Sequence, residues 1–252
     1  MSVAAGKVAA FGMPVLRGKS ALVTGAGRGI GQAIAVSLAR AGAFVFLCAR
    51  TAAQVRRVEE RIRRMGLCAE AFAADVSCEE DVKSLFSRIR SRKARLDILV
   101  NNAGVGRFGP IERCSAEEFD EMMAVNARGT FLCCREAVPL MSGRKGGVII
   151  NIASVVGIKG YAEQIGYTAS KHAVVGLTKA LAAEARSRNI NVAVILPGGV
   201  DTEMVRRARP DIRRSELLKP CDVAQAVMYL LSLSPRAWVD SIYLRRRASA
   251  PF

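Results

Sequence analysis

Short apolar runs alternate along this chain with longer stretches of helical period. Residues 20–23, 44–48, 69–74, 98–100, 148–152, 191–196 and 241–244 read as seven strands, nearly continuous in Val, Ile, Leu, Phe and Ala. Strands apolar on both faces belong to a sheet covered on both sides. Between them the period predicts helices over 32–41, 51–65, 77–92, 115–141, 164–187 and 221–232. Gly42 and Gly66 supply the stops and Thr51 a start. Ser77 with Glu80, and Ser115 with Glu118, have the spacing of capping boxes. A break is predicted near Gly129 and Pro139, inside the longest stretch.

Strand and helix in regular alternation mean one doubly wound α/β domain with a mostly parallel, seven-stranded sheet and helices on both faces. The domain is expected over 18–252, after a loose arm at 1–17. A polar, arginine-rich stretch at 200–219 is expected to form a lid. At 252 residues the chain buries one sizeable core. No apolar run reaches the roughly 18 residues of a membrane span, and the start lacks an apolar core followed by a cleavage site, so a cytoplasmic protein is expected.

Composition changes this picture in two places. A net charge of +16 raises nucleic acid as a partner. The 29 arginines and 9 lysines are spread over the whole chain, however, and the 14 aromatic residues do not interleave with the basic clusters as base-stacking platforms would. A solvated basic surface is the better reading, and no specific nucleic acid is expected. The seven cysteines show no C-x-x-C spacing and fall mostly in apolar patterns, which predicts reduced, buried thiols; Cys133 and Cys134 are expected to pack on a helix. With His172 as the single histidine, no metal site is expected.

The candidate chemistry lies at strand ends. Gly25-x-x-x-Gly29-x-Gly31 sits between the first strand and the first helix, where glycine lets the backbone approach a pyrophosphate and the helix start supplies free N–H groups. The second strand ends in Arg50 where an NAD site would carry an acid, and Arg28 lies within the loop. Two cations suit a 2′-phosphate, so NADP(H) is the expected cofactor. Tyr167 and Lys171, four apart, share a helical face, and Ser154 lies upstream. A cation beside a phenol favours the phenolate, which equips the tyrosine to move a proton on or off an alcohol oxygen.

In these motifs the chain, from about residue 18 to 202, resembles the short-chain dehydrogenase/reductase family, a single-domain Rossmann fold. The resemblance implies a catalytic set of Asn126, Ser154, Tyr167 and Lys171. Tyr167 is the general acid for reduction; Lys171 lowers its pKa and binds the nicotinamide ribose. Ser154 bonds the substrate oxygen, and Asn126 positions a water leading to Lys171. It further implies cofactor contacts from Gly25, Gly27, Arg28, Gly29, Ile30, Gly31, Arg50, Asp75, Val76, Asn102, Ala103, Gly104, Pro197, Gly198, Val200 and Thr202, besides Tyr167 and Lys171. Asp75 meets the adenine, Val200 the carboxamide and Thr202 a phosphate. Asn101 and Asn102 brace the central strands.

The expected activity is NADPH-dependent reduction of a ketone to a secondary alcohol, or the reverse. A 3-oxoacyl thioester is the first substrate class, because Arg206, Arg207, Arg209, Arg213 and Arg214 in the lid suit an anionic or thioester-linked molecule. A small 3-hydroxy acid dehydrogenase is the second. From a different class, a dinucleotide- or nucleic-acid-binding module on the same fold is the rival, which a degenerate catalytic set would have favoured. The chain departs from the family at its end, where 241–252 is basic instead of glycine-rich. Apolar residues on more than one face of the helices near 117–142 and 164–187 predict a homodimer, with a homotetramer left open.

Overall fold

The computed structural model describes residues 15–141, 143, 146–209 and 211–250. Seven strands, β1 (Ser20–Thr24), β2 (Phe44–Ala49), β3 (Ala69–Ala73), β4 (Ile98–Asn101), β5 (Gly147–Ile152), β6 (Ile190–Pro197) and β7 (Ser241–Leu244), form one sheet in the order β3-β2-β1-β4-β5-β6-β7. Every neighbouring pair is parallel. Right-handed crossovers force a parallel sheet to be wound outward from its middle in two directions. The reversal falls between β1 and β4, and the crevice outside the carboxyl ends of these two strands is where such sheets bind ligands.

The helices α1 (Gly29–Arg40), α2 (Ala52–Arg64) and α8 (Pro220–Ser232) cover one face of the sheet. The other is covered by α3 (Glu79–Lys93), α5 (Gly129–Met141) and α6 (Ile165–Ala185). Alternate residues of each strand supply the two cores: Ala21 and Val23 belong to the first, Leu22 to the second. The fold class and the seven strands thus agree with the sequence reading. Within the sheet, Asn101 donates to Asn151 Oδ1 at 2.9 Å and Asn151 to Thr178 Oγ1 at 2.9 Å, so buried amides tie β4 to β5 and to α6.

Several local expectations need correction. Helix α1 begins at Gly29, not at 32, so the last glycines of the loop are its first turn. Ser77 forms no capping box; its hydroxyl and N–H both donate to Asp75 Oδ1, and Cys78 takes the N-cap position of α3. Thr51 holds the N-cap of α2 without a side-chain bond. Ser115 and Glu118 do form their box at the start of α4 (Ala116–Met122). The break expected near Gly129 takes the form of a wide π-helical segment (Met123–Arg128) that ends beside it and links α4 to α5; none occurs at Pro139, which rides inside α5.

The arm expected at 1–17 lies outside the described residues as far as residue 14. Leu16 already belongs to the domain, buried and donating its N–H to the Ala41 carbonyl at 2.8 Å. Cysteine burial is also less general than expected. Cys48, Cys133 and Cys134 are buried, whereas Cys68, Cys78 and Cys221 are exposed. Burial pushes the thiols of Cys48 and Cys134 up to about 12, which leaves them unreactive packing groups.

Candidate active site

β1 ends at Thr24, and the chain turns through the glycine loop into α1. Gly25 adopts a φ of +62°, a left-handed conformation that side chains resist. A Cβ on Gly25 would lie 2.8 Å from Ala103 Cα, and one on Gly31 would lie 2.2 Å from the Gly25 carbonyl oxygen. Gly31 is therefore a packing position, buried behind the loop and not part of the cavity wall. Thr24 fixes the facing segment: its Oγ1 accepts from the N–H groups of Asn102 and Ala103, while Asn102 Nδ2 donates back to the Thr24 and Gly25 carbonyls.

This loop bounds a cavity of about 450 Å³. Its walls include Gly25, Gly27, Arg28, Gly29, Ile30, Arg50, Asp75, Val76, Asn102, Ala103, Gly104, Thr202, Tyr167 and Lys171. Cys48, Thr51, Gln54 and Glu203, which the motifs did not single out, join them. Arg50 Nη1 lies 3.8 Å from Asp75 Oδ2, and Arg28 pairs with Glu203. Both arginines are more than half exposed, so these pairs contribute at most about 1 kcal/mol and open at little cost. Asp75 also accepts from Ser77, so its carboxylate is oriented from two sides. Thr202 caps α7 (Glu203–Ala208), its hydroxyl accepting from Val205 N at 3.4 Å.

A second cavity of about 630 Å³ adjoins the first, and Tyr167 lines both. Ser154, Pro197, Gly198 and Val200 border this second space. Most of its wall is apolar: Phe108, Val155, Val156, Tyr161, Met204, Val205, Ala208, Ile212 and Tyr243. Phe108 packs edge-on against Tyr167 with ring centroids 5.5 Å apart. These residues come from loops, from the short helix α7 and from the last strand, where no spacing rule marks them.

Tyr167 is half-buried and Lys171 is 4% exposed. Lys171 Nζ donates to the Ile152 carbonyl at 3.1 Å and lies 5.8 Å from the centroid of the tyrosine ring. Burial pushes the phenol up to about 12, with the Ser154 hydroxyl pulling the other way, and burial brings the lysine down to about 8. The expected lowering of the tyrosine by Lys171 is thus not produced by the protein alone, where desolvation dominates the phenol and Ser154 supplies the opposing hydrogen bond. Ser154 Oγ accepts from Val156 N at 3.3 Å and lies 3.4 Å from the Pro197 carbonyl.

Asn126 sits in the π-helical segment, fully buried. Its amide donates to the Val105 carbonyl and to Ser170 Oγ, and its Oδ1 accepts from Val105 N. Both donors are spent on protein, so the side chain braces the loop behind Lys171 and cannot also donate to a water there. His172 turns from the tyrosine face to the Thr168 carbonyl, as expected of a structural residue. All five lid arginines are paired: Arg206 and Arg214 with Asp201, Arg207 with Glu203, Arg209 with Asp211 and Arg213 with Glu216. Among the described residues no group of carboxylates, thiols and imidazoles is placed to hold a metal ion, and no helix is long and apolar enough to cross a membrane.

The sheet crossover, the glycine cradle and a tyrosine shared by two joined cavities define an α/β oxidoreductase. The model of the short chain dehydrogenase family matches residues 19–213, and the chain belongs to that family. A 3beta-hydroxysteroid dehydrogenase from Mediterraneibacter gnavus is 39% identical over 77% of this chain and 71% of its own length. A 3-oxoacyl-(acyl-carrier-protein) reductase from Staphylococcus aureus is 36% identical over 85% of this chain and 91% of its own. Among solved structures, a metagenomic short-chain oxidoreductase in complex with NADP is 35% identical, with a TM-score of 0.81 over 92% of this chain and 99% of that one. An alcohol dehydrogenase from Thermococcus sibiricus, complexed with 5-hydroxy-NADP, is 31% identical with a TM-score of 0.86 over 93% and 99%.

Proposed function

We propose that the protein is an NADPH-dependent reductase that converts a ketone with an apolar body into a secondary alcohol, or runs the reverse. The observation that carries this reading is the position of Tyr167 on the wall shared by the two cavities, with Ser154 on the substrate side and Lys171 on the cofactor side. The first cavity suits a dinucleotide: Gly25, Gly27 and Gly29 bring bare backbone to its wall at the start of α1, and Arg28 and Arg50 line it as cations for a 2′-phosphate. The NADP complexes among the related structures point the same way.

When bound, NADPH supplies the hydride. The protein does the rest. Ser154 and Tyr167 donate hydrogen bonds to the substrate oxygen, which stabilises the charge that grows on it. Tyr167 then gives up its phenolic proton to that oxygen. With a phenol pushed up to about 12, the tyrosine holds its proton at every working pH, and its release depends on the Ser154 hydrogen bond and the nearby ammonium of Lys171. Lys171 stays largely charged below about pH 8 and stabilises the phenolate left behind. The apolar wall excludes water from the reacting pair.

A 3-oxoacyl thioester is the substrate class we favour, since an acyl chain matches the wall of Phe108, Val155, Met204 and Ile212. The setting proposed is the cytoplasm, where free thiols persist. The experiment is NADPH oxidation with a panel of 3-oxoacyl thioesters, oxo acids and diketones. Turnover of at least one, abolished in Tyr167→Phe, supports the reading. No turnover of any, with salt-sensitive binding to nucleic acid, would replace it with the binding-module alternative.

A further inference from the structure

The chain's basic C-terminal segment folds over its own second cavity. β7 runs into it: the Leu244 carbonyl accepts from Gly198 N at 2.7 Å, and Arg245, Arg246, Ala248, Ser249 and Ala250 line its wall together with Ser154 and Tyr161. Four cations border this cavity: Lys159, Arg209, Arg245 and Arg246. Among the described residues, no Asp or Glu lines it.

These cations are not equivalent. Arg209 is paired with Asp211 through two bonds of 2.8 and 2.7 Å. Arg246 is mostly buried and lies 3.7 Å from Glu216. Lys159 Nζ sits 5.6 Å from the centroid of Tyr243. Arg245 stands apart. Its Nη1 bonds three backbone carbonyls of its own tail, those of Arg246 (3.3 Å), Arg247 (3.1 Å) and Ser249 (2.6 Å). Carbonyls fix the guanidinium in place without cancelling its charge. The tail turn they cap is itself closed by Ser249 N on the Arg246 carbonyl at 3.0 Å. Nε and Nη2 take no partner among the described residues, and that edge of an arginine pairs bidentately with a carboxylate or phosphate.

We infer that Arg245 is the specificity-determining cation of the substrate cavity, and that it selects ketones carrying an oxyanion at the end remote from the carbonyl. This rests on the reductase reading above. It transfers the anion-binding role from the lid, whose arginines all have carboxylate partners, to the C-terminal tail. Because the guanidinium is already held by its own backbone, little ordering is left to lose when an anion arrives.

The test compares 4-oxopentanoate, 5-oxohexanoate and 7-oxooctanoate with their methyl esters, and adds the phosphate monoester of 5-hydroxy-2-pentanone. Calorimetric binding to the NADPH complex and kcat/KM are measured on each. For at least one chain length, acid over ester is expected to favour the acid by about ten-fold or more. In Arg245→Gln that ratio falls to within about two-fold of unity; Arg245→Lys keeps part of it, and Arg209→Gln keeps all of it. The ratio cancels any general damage to the fold. A phosphate ester that outdoes every acid identifies phosphate as the natural oxyanion. Equal binding of acids and esters, or a ratio that follows Arg209 instead of Arg245, overturns the inference, while turnover of the esters leaves the reductase reading standing. Selective binding of the acids without turnover of any compound upholds the Arg245 site and defeats the reductase reading.

Discussion

Lys171 and Tyr167 lie one turn apart on α6, yet the ammonium nitrogen is 5.8 Å from the phenol ring centroid and gives its hydrogen bond to the Ile152 carbonyl. Burial moves the two groups apart on the pH scale: the lysine from 10.5 down to about 8, the phenol from 10.0 up to about 12. The phenol is thus protonated throughout the accessible range, and the lysine is the group that titrates. For reduction of a neutral ketone, kcat/KM is expected to stay level up to about pH 8 and to decline above it as the ammonium is lost. A profile flat to pH 10 would show that the lysine charge does not matter. At pH 7, Tyr167→Phe is expected to lose at least about 10²-fold in turnover, with NADPH affinity retained within about two-fold.

The same shift carries a stability consequence. In the folded state Lys171 loses its proton near pH 8, against 10.5 for the unreacted side chain. The folded state therefore holds the proton more weakly, and the cost of burying the charge is fully present below pH 8. It fades as the pH climbs from 8 to 10.5. That cost is about 3 kcal/mol, and the hydrogen bond to Ile152 offsets about 1 of it. Lys171→Met, which is inactive, is expected to be more stable than the wild type by about 2 kcal/mol at pH 7, with the gain shrinking toward pH 10. Urea midpoints at pH 7 and 9.5 check this; equal midpoints at pH 7 would refute it.

Where sequence and structure agree, a physical rule ties residue type to position. The seven strands were readable because a parallel sheet buries both faces. Gly25 and Gly31 were readable because their neighbours, the Ala103 backbone and the Gly25 carbonyl, leave no room for a Cβ. Tyr167 and Lys171 were readable because a helix fixes residues four apart on one side. The second cavity follows no such rule. Phe108, Met204, Tyr243 and Arg245 meet there from distant segments, and only the tertiary fold brings them together. The pairing of the lid arginines was equally hidden, since Asp201 serves both Arg206 and Arg214 through a turn that has no period.

Cofactor choice is expected to follow Arg50 and Arg28. Both line the first cavity in weak, exposed ion pairs that a 2′-phosphate can displace. Fluorescence titration is expected to give NADPH the tighter binding. Arg50→Asp removes a cation and adds an anion, so it is expected to weaken NADPH by about 10–100-fold and NADH by much less. Equal wild-type affinities for the two cofactors would refute the assignment.

Assembly is expected to follow the residues that the monomer leaves uncovered. On the helices α4, α5 and α6, Phe119, Phe131 and Ile165 are exposed to 38%, 48% and 47%, although their neighbours Met122, Leu132 and Val174 are buried. One stripe of each helix therefore packs inward, as anticipated, while large apolar side chains remain on the other side. Such a face is most simply covered by the same face of a second copy across a two-fold axis. Light scattering at micromolar concentration is expected to give at least twice the 27.0 kDa of one chain. Phe131→Glu places a charge in that contact and is expected to shift the mass to the monomer while leaving the thermal transition two-state. A wild type that stays at the mass of one chain would rule the dimer out, and an assembly indifferent to Phe131→Glu would place the contact elsewhere on the surface.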